Sequence, residues 1–362
     1  MTATTTLTAP GGHGPVLIGT GLIERLDEHL PALVGDKVEQ LLIVHQPTLR
    51  EIAEQLHLRL GGKYRRVLLA EIPDAESGKR VEVAEFLWGI LGQADFTRSD
   101  AIISLGGGAC TDLGGWIAAS WLRGVKVVQV PTTVLAMADA AVGGKTGINT
   151  NEGKNLVGAF HLPAGVVCDL DVLASLPRNE LVTGFAEAVK IGFIAEPEIL
   201  DLIEADPERA TDPTTPEFRR ILELAIEFKL QVTSNDLTEQ GGREMLNYGH
   251  TLGHAIEHTE RYQWRHGAAV SVGMVYAAEL GRLSGRLSDA EADRHRRVLE
   301  LLGLPTGYPG NRWPQLHSVM ARDKKSRGSL LRFVVLDAIG QPTIMTAPDD
   351  ALLFAAYEGV SA

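Results

Sequence analysis

AIISLGGGACTDLGGWIAASWLRGVKVVQVPTT, residues 101–133, holds a complete change of pattern within one unit. AIISL (101–105) and VKVVQV (125–130) are short β-branched runs, each long enough for a buried strand. Between them Asp112–Leu122 repeats apolar residues at helical spacing. Strand, helix, strand at this spacing reads as a right-handed βαβ crossover and therefore a parallel sheet. Gly106, Gly107 and Gly108 stand between the first strand and the helix. Such glycines let backbone approach a ligand phosphate closely, and a helix N-terminus offers unpaired N–H groups. The spacing matches neither GxGxxG nor a Walker A loop, so a tight strand–helix turn is the competing reading.

The alternation continues towards the N-terminus. Segments 38–45 and 64–72 read as further strands, and Leu49–Leu58 and Val81–Leu91 as helices. Helices then cover both faces of the sheet, and ligands sit beyond the carboxyl ends of its strands. After LASLPRNE (173–180) the strand pattern stops. Glu180–Ile194, Glu217–Ser234, Glu244–His258, Gly267–Ser284 and Asp289–Leu302 all carry helical periodicity. LRFVVL (331–336) and PTIMT (342–346) read as a late hairpin. The expected organisation is a loose tail over 1–15, an α/β domain over 16–178 and a mainly helical domain over 179–362.

The totals narrow the function. A length of 362 residues suits two domains, and 44% apolar content is enough for real cores. A formal charge of −12 argues against nonspecific binding of nucleic acid or membrane surface. Cys110 and Cys168 form no CxxC pair, which fits a reducing, cytoplasmic compartment. MTATTTLTAPGGHG lacks a basic start and an apolar core, so no secretory signal is expected, and no apolar run is long enough to span a bilayer.

In the second half, REMLNYGHTLGHAIEHTERYQWRHG (243–267) contains His250, His254, His258 and His266. On a helix His250 and His254 lie one turn apart on one face, a spacing that can chelate a divalent cation. A polar helix face with satisfied histidines is the plainer alternative. Glu187, on the apolar segment TGFAEAVKIGF, is costly there unless paired and is a candidate third ligand. One Glu and two His would leave positions open, as in catalytic rather than structural sites. Spacing nominates His250 with His254, and one of these with His266 is equally open. Arg123, Lys145, Lys154, Lys190, Lys229, Arg243, Lys324 and Lys325 stand near these motifs in an acidic chain. Their convergence would suit a ligand with several negative charges.

Taken together, GGGACTDLGG, LRGVKVVQVPTT, VGGKTGINT, GKNLVGAF, GFAEAVK, LNYGHTLGHAIE, RHGAAVSVGM and DKKSR closely resemble the 3-dehydroquinate synthase family of sugar-phosphate cyclases, in its actinobacterial form. The resemblance runs from about residue 16 to the end. It implies a Rossmann-like α/β domain binding NAD, an all-α domain binding zinc or cobalt, an active site between them and a homodimer. The implied metal ligands are Glu187, His250 and His266, with His254 moving a proton or touching substrate. For NAD the matching positions are Asp74–Lys79 with Glu76, Gly106–Gly108, Thr111, Asp112, Thr132, Thr133, Asp139, Lys145 and Lys154. Ser175 stands where the family commonly has Thr. For substrate they are Arg123, Asp139, Lys145, Asn155, Lys190, Lys229, Arg243, Asn247, His254 and Lys324 or Lys325. The implied substrate is 3-deoxy-D-arabino-heptulosonate 7-phosphate, oxidised at C5, relieved of phosphate, re-reduced, and closed by an aldol step. IVHQPT departs from the Asp and Asn usual after the second strand, and HGAAV from HGEAV. Other sugar-phosphate cyclases and metal-dependent alcohol or glycerol dehydrogenases are the enzymatic alternatives. A catalytically dead nucleotide-binding or regulatory protein is disfavoured, because none of the metal or lysine positions is lost.

Overall fold

The computed structural model describes residues 4–238, 241–326 and 330–362, without the side chains of 322–326. The chain divides into two compact units, Met1–Leu176 with Lys229–Thr238, and Pro177–Phe228 with Glu239–Ala362.

In chain order the first unit comprises β1 (Thr5–Leu7), β2 (Val16–Gly19), α1 (Leu26–Val34), β3 (Gln40–His45), α2 (Arg50–Gly61), β4 (Arg66–Glu71), α3 (Val81–Gln93), β5 (Ala101–Gly106), α4 (Gly108–Ser120), β6 (Lys126–Pro131), β7 (Lys145–Thr150), β8 (Gly153–Phe160) and β9 (Gly165–Asp169). Seven strands form one sheet in the order β1-β2-β9-β6-β5-β3-β4, parallel except for β1. β3 and β5 are buried along their whole length, which is why they read as continuous apolar runs. From β3 the chain crosses to β4 at the edge, then back over β3 to β5 and on to β6. The order therefore reverses between β3 and β5, and that switch point is where open α/β sheets bind ligands.

Two expectations need correction here. Part of the anticipated loose tail is ordered, because Thr5–Leu7 pairs antiparallel with β2 and satisfies its free edge. Helix α4 begins at Gly108, four residues before Asp112, with Gly107 as its N-cap. Gly114 then lets α4 sink onto β5 of the sheet, and Gly115 lets it meet β7 of the β7–β8 hairpin. A Cβ on Gly114 would stand 2.4 Å from Ser104 Oγ, and one on Gly115 2.4 Å from Thr146 Cγ2. The β7–β8 hairpin was not anticipated, since its Gly, Thr and Asn residues carry no clear period.

The second unit holds α5 (Arg178–Ile194), α6 (Glu198–Ala205), α7 (Pro207–Ala210), most of α8 (Pro216–Asn235), α9 (His250–Thr259), α10 (His266–Leu283), α11 (Asp289–Leu301), α12 (Trp313–Ser326), the hairpin β10 (Arg332–Ala338) with β11 (Gln341–Thr346), and α13 (Asp350–Glu358). α10 is almost entirely buried and packs against α5, α9, α11, α13 and β10. The expected helix over Glu244–His258 is broken. A 3-10 turn spans Gly242–Asn247, Gly249 takes φ +75°, and α9 starts only at His250. Among the described residues, no helix is long and apolar enough to cross a membrane.

Candidate metal centre and nucleotide turn

The metal candidates sit at the heart of the second unit. α5 is apolar around most of its circumference and buried from Gly184 to Ile194, so Glu187 is 1% exposed. α9 and α10 are drawn tightly together by glycine. A Cβ on Gly273 would stand 1.8 Å from the Gly249 carbonyl oxygen, and one on Gly267 of α10 1.6 Å from that of Thr183 on α5. This close approach places the first residue of α9, His250, and the first residue of α10, His266, beside Glu187. His250 Nε2 lies 3.5 Å and His266 Nε2 3.4 Å from Glu187 Oε1.

The donor set fits a divalent cation. Glu187 Oε1 is buried and accepts no hydrogen bond among the described residues, while Oε2 accepts from Lys190. An orphaned carboxylate oxygen at this depth is expensive unless something positive completes it. His250 Nδ1 faces the Tyr248 carbonyl at 3.0 Å, so that nitrogen carries the proton and Nε2 the lone pair. Burial, followed by the Lys190 ammonium, holds His250 well below its ordinary pKa, so it is neutral. Burial works against ionisation of Glu187, but Lys190 and the two imidazoles outweigh it and hold the carboxyl well below its usual range. Burial also disfavours a charged His266; Glu187 and Glu257 overcome it and push its pKa up to about 10. The same two carboxylates favour a proton on His266, so a cation competes with that proton for the ring.

His254 is exposed, its ring centroid 5.2 Å from that of His250 and 6.2 Å from that of His266. The oxygen that attracts His250 therefore attracts His266 and not His254, and His258 is exposed. Arg243 is 2% exposed in the 3-10 turn that Asn247 ends. Lys190, expected at substrate, is committed to Glu187 in this state. Lys324 and Lys325 lie in the last turn of α12, and their side chains are outside those described.

The second cluster surrounds the glycine turn of the first unit. Gln46, immediately after β3, accepts the Gly107 N–H through Oε1 at 3.1 Å, across the switch point. Thr132 N donates to the Gly106 carbonyl at 3.0 Å and Thr111 Oγ1 to that of Gly108 at 3.0 Å. Thr133 Oγ1 accepts from Ala136 N at 3.2 Å, leading into the π-turn 136–140 that carries Asp139. Lys79 is 2% exposed and donates to Asp112 Oδ2 at 2.6 Å and to Asn155 Oδ1 at 2.5 Å. Burial raises the Asp112 carboxyl, opposed by the Lys79 ammonium. Glu76 takes the Asn149 amide at 2.6 Å and stands 3.6 Å from Lys154. Asp74 stands at the N-cap position of the turn 75–78 without a side-chain cap, and Ser175 Oγ donates to the Val172 carbonyl at 3.0 Å. Lys229 donates to both the backbone and the carboxylate of Asp139. Lys145 opens β7 and is exposed, as is Arg123, which holds φ +67°.

Gln46 was noted only as part of the departing stretch IVHQPT and not as a site residue, and Glu257 escaped sequence reasoning. Gln46 could have been found from its place after a strand beside the glycine turn. Glu257, three residues after His254, gave no signal without the break at Gly249. Cys110 and Cys168 are buried free thiols; burial pushes both up, Cys110 to about 12, which removes them as nucleophiles.

Comparison with known proteins adds an independent line. The family models for the 3-dehydroquinate synthase N-terminal and C-terminal domains match residues 69–183 and 184–326. A 3-dehydroquinate synthase of Leifsonia xyli subsp. xyli is 64% identical over 363 residues, covering 100% of both chains. Among solved structures, 2-epi-5-epi-valiolone synthase from Streptomyces hygroscopicus subsp. jinggangensis, with NAD+ and Zn2+ bound, superposes with a TM-score of 0.84 at 26% identity, covering 99% of this chain and 98% of that one. A 2-deoxy-scyllo-inosose synthase complexed with carbaglucose-6-phosphate, NAD+ and Co2+ shares the fold, with a TM-score of 0.85 at 24% identity and 98% and 100% coverage. With both domain models matched in order and a full-length relative at this identity, the chain belongs to the 3-dehydroquinate synthase family.

Proposed function

We propose that the chain converts 3-deoxy-D-arabino-heptulosonate 7-phosphate to 3-dehydroquinate and phosphate, using NAD and a divalent cation, zinc or cobalt, held by Glu187, His250 and His266. The observation that carries the metal part is the orphaned Oε1 of Glu187 with two imidazole Nε2 atoms 3.4 and 3.5 Å away. When bound, NAD+ supplies a reversible hydride acceptor for C5, and the cation supplies Lewis acidity to the substrate hydroxyls.

The chain's own residues do the remaining work. The glycine turn 106–108 and the N-terminus of α4 receive the dinucleotide phosphates, and the Lys79–Asp112 pair fixes the wall beside them. Asp74, Glu76, Thr132, Thr133, Lys154 and Ser175 complete the NAD site. Arg243 has the planar fork that holds a carboxylate by two parallel hydrogen bonds, with Asn247 on the same turn. Arg123, Lys145, Asn155 and Lys324 or Lys325 meet the substrate phosphate. Lys229 and Asp139 act as a unit, since the ammonium is already on the carboxylate. Lys190 keeps Glu187 ionised, and exposed His254 moves the hydroxyl proton. Leu156, Val157 and Phe160 are 64%, 39% and 44% exposed on β8, an apolar strip suited to cover by a second copy, in keeping with a homodimer. Two buried free thiols suit a reducing cytoplasm.

The deciding experiment incubates the chain with the heptulosonate phosphate, catalytic NAD and zinc. Phosphate and a carbocyclic product should form with no net NADH. Stoichiometric NADH without phosphate release would instead indicate a dehydrogenase.

A further inference from the structure

His266 meets a different carboxylate at each ring nitrogen. Nε2 faces Glu187 Oε1 at 3.4 Å, and Nδ1 faces Glu257 Oε2 at 3.2 Å. Glu257 lies on α9 and is 7% exposed. An acid so deep is costly unless it serves a partner. A neutral imidazole can offer a lone pair at Nε2 only while Nδ1 keeps its proton, and the group accepting that proton sets the ring's orientation. His250 has a neutral acceptor in this role, the Tyr248 carbonyl. His266 has an anion.

We propose that Glu257 is a positioning residue of the metal centre: its carboxylate holds the Nδ1–H of His266 and thereby presents Nε2 as a donor beside Glu187 Oε1. The inference rests on reading Glu187, His250 and His266 as the cation's ligands. An anionic acceptor also increases the electron density that His266 can donate, so this side of the site binds the cation more strongly than the carbonyl-anchored side. The geometric rival is a second cation. Donor atoms of His254, Glu257 and His266 all lie within 4.8 Å of one another. A cation there would need His266 deprotonated at both nitrogens and bridging two ions.

The test titrates zinc into metal-stripped full-length chain against a chromophoric chelator, for the parent, Glu257→Ala, Glu257→Gln and Glu187→Gln. The parent should take one zinc ion per chain. Glu257→Ala should bind it about 10–100-fold more weakly. Glu257→Gln, whose amide oxygen still accepts from Nδ1 but carries no charge, should fall between. NAD binding and the melting temperature of the metal-free chain control for folding; if the Ala variant does not fold, the isosteric Gln variant carries the test. Parent-like zinc affinity in the folded variant would overturn the proposal. So would two zinc ions per parent chain falling to one in Glu257→Ala, which would make Glu257 a ligand. Tight zinc binding by Glu187→Gln would instead defeat the underlying ligand assignment. Loss of zinc in that variant alone, with both Glu257 variants unaffected, would defeat only the role of Glu257.

Discussion

Lys190 and Glu187 face each other one turn apart on α5, ammonium on Oε2, with side chains 3% and 1% exposed. The pair resolves a conflict at the metal centre: the carboxylate must stay ionised in a buried place before any cation arrives. Removing one partner of a buried pair leaves an uncompensated charge, at about 3–5 kcal/mol. Lys190→Met removes one of two counter-charges, since His266 still faces Glu187 Oε1, so it should destabilise the metal-free chain by less than that, about 1–3 kcal/mol. Zinc should restore part of the loss, because a bound cation also neutralises Glu187. Urea unfolding with zinc and with chelator checks this; an equal loss in both states would show that Lys190 is not the compensating charge.

Gly273 governs how closely α10 approaches the start of α9. An added Cβ would lie 1.8 Å from the Gly249 carbonyl oxygen, a backbone atom that cannot swing aside. Gly273→Ala must push α9 away, and His250 with it. We expect a stability loss of about 3 kcal/mol, at the upper end of overpacking costs. Zinc affinity should fall as well, with NAD affinity of the folded chain unchanged. A variant of parental stability and zinc affinity would show that α9 does not depend on this contact.

The limits of the sequence reading follow from the same contacts. β3, β5 and β6 were legible to within two residues because strands buried on both faces are continuous apolar runs, and β4, partly exposed at the sheet edge, from its Val67–Ala70 run. The long helices α5, α8, α10 and α11 were legible from their period. The start of α4 was not, since glycine gives no apolar signal and the turn's geometry is set by Gln46 and by packing against Ser104 and Thr146. Glu187 could be nominated because a lone acid on an apolar helix is anomalous. The histidine choice stayed open because spacing describes one helix at a time. His266 reaches the acid from a different helix, through glycine contacts that no period encodes.

Gln46 places a neutral amide on the Gly107 N–H, at the spot where an anionic ligand would approach the glycine turn. Gln46→Glu keeps the shape and substitutes a negative charge beside the expected dinucleotide phosphates. At about 4 Å and an effective dielectric near 20, like charges repel by roughly 4 kcal/mol before screening. NAD affinity should fall tenfold or more, and Gln46→Ala should have a smaller effect. Isothermal titration with NAD measures both, and equal affinities for Gln46→Glu and the parent would remove the glycine turn from the phosphate site.

Behind the metal centre lies a titratable group with no contact to the ligands' own rings. His295 is fully buried, Nδ1 2.7 Å from the Glu291 carbonyl, Nε2 2.9 Å from Tyr248 Oη, its ring stacked on Phe193 at 3.7 Å. Burial lowers its pKa to about 4. The unfolded chain takes up this proton near pH 6.5, whereas the folded chain does so only near 4. Between those values the unfolded state binds more protons, so stability from this group is present above pH 6.5 and is lost as pH falls towards 4. The loss across that window is about 3 kcal/mol. His295→Gln cannot titrate there. Its urea midpoint should start lower at neutral pH, because Tyr248 loses a well-placed acceptor, yet fall less steeply on acidification than the parent's. Parallel pH profiles for variant and parent would mean that His295 takes up its proton at the same pH in the folded and unfolded chains, so that burial does not hold it neutral.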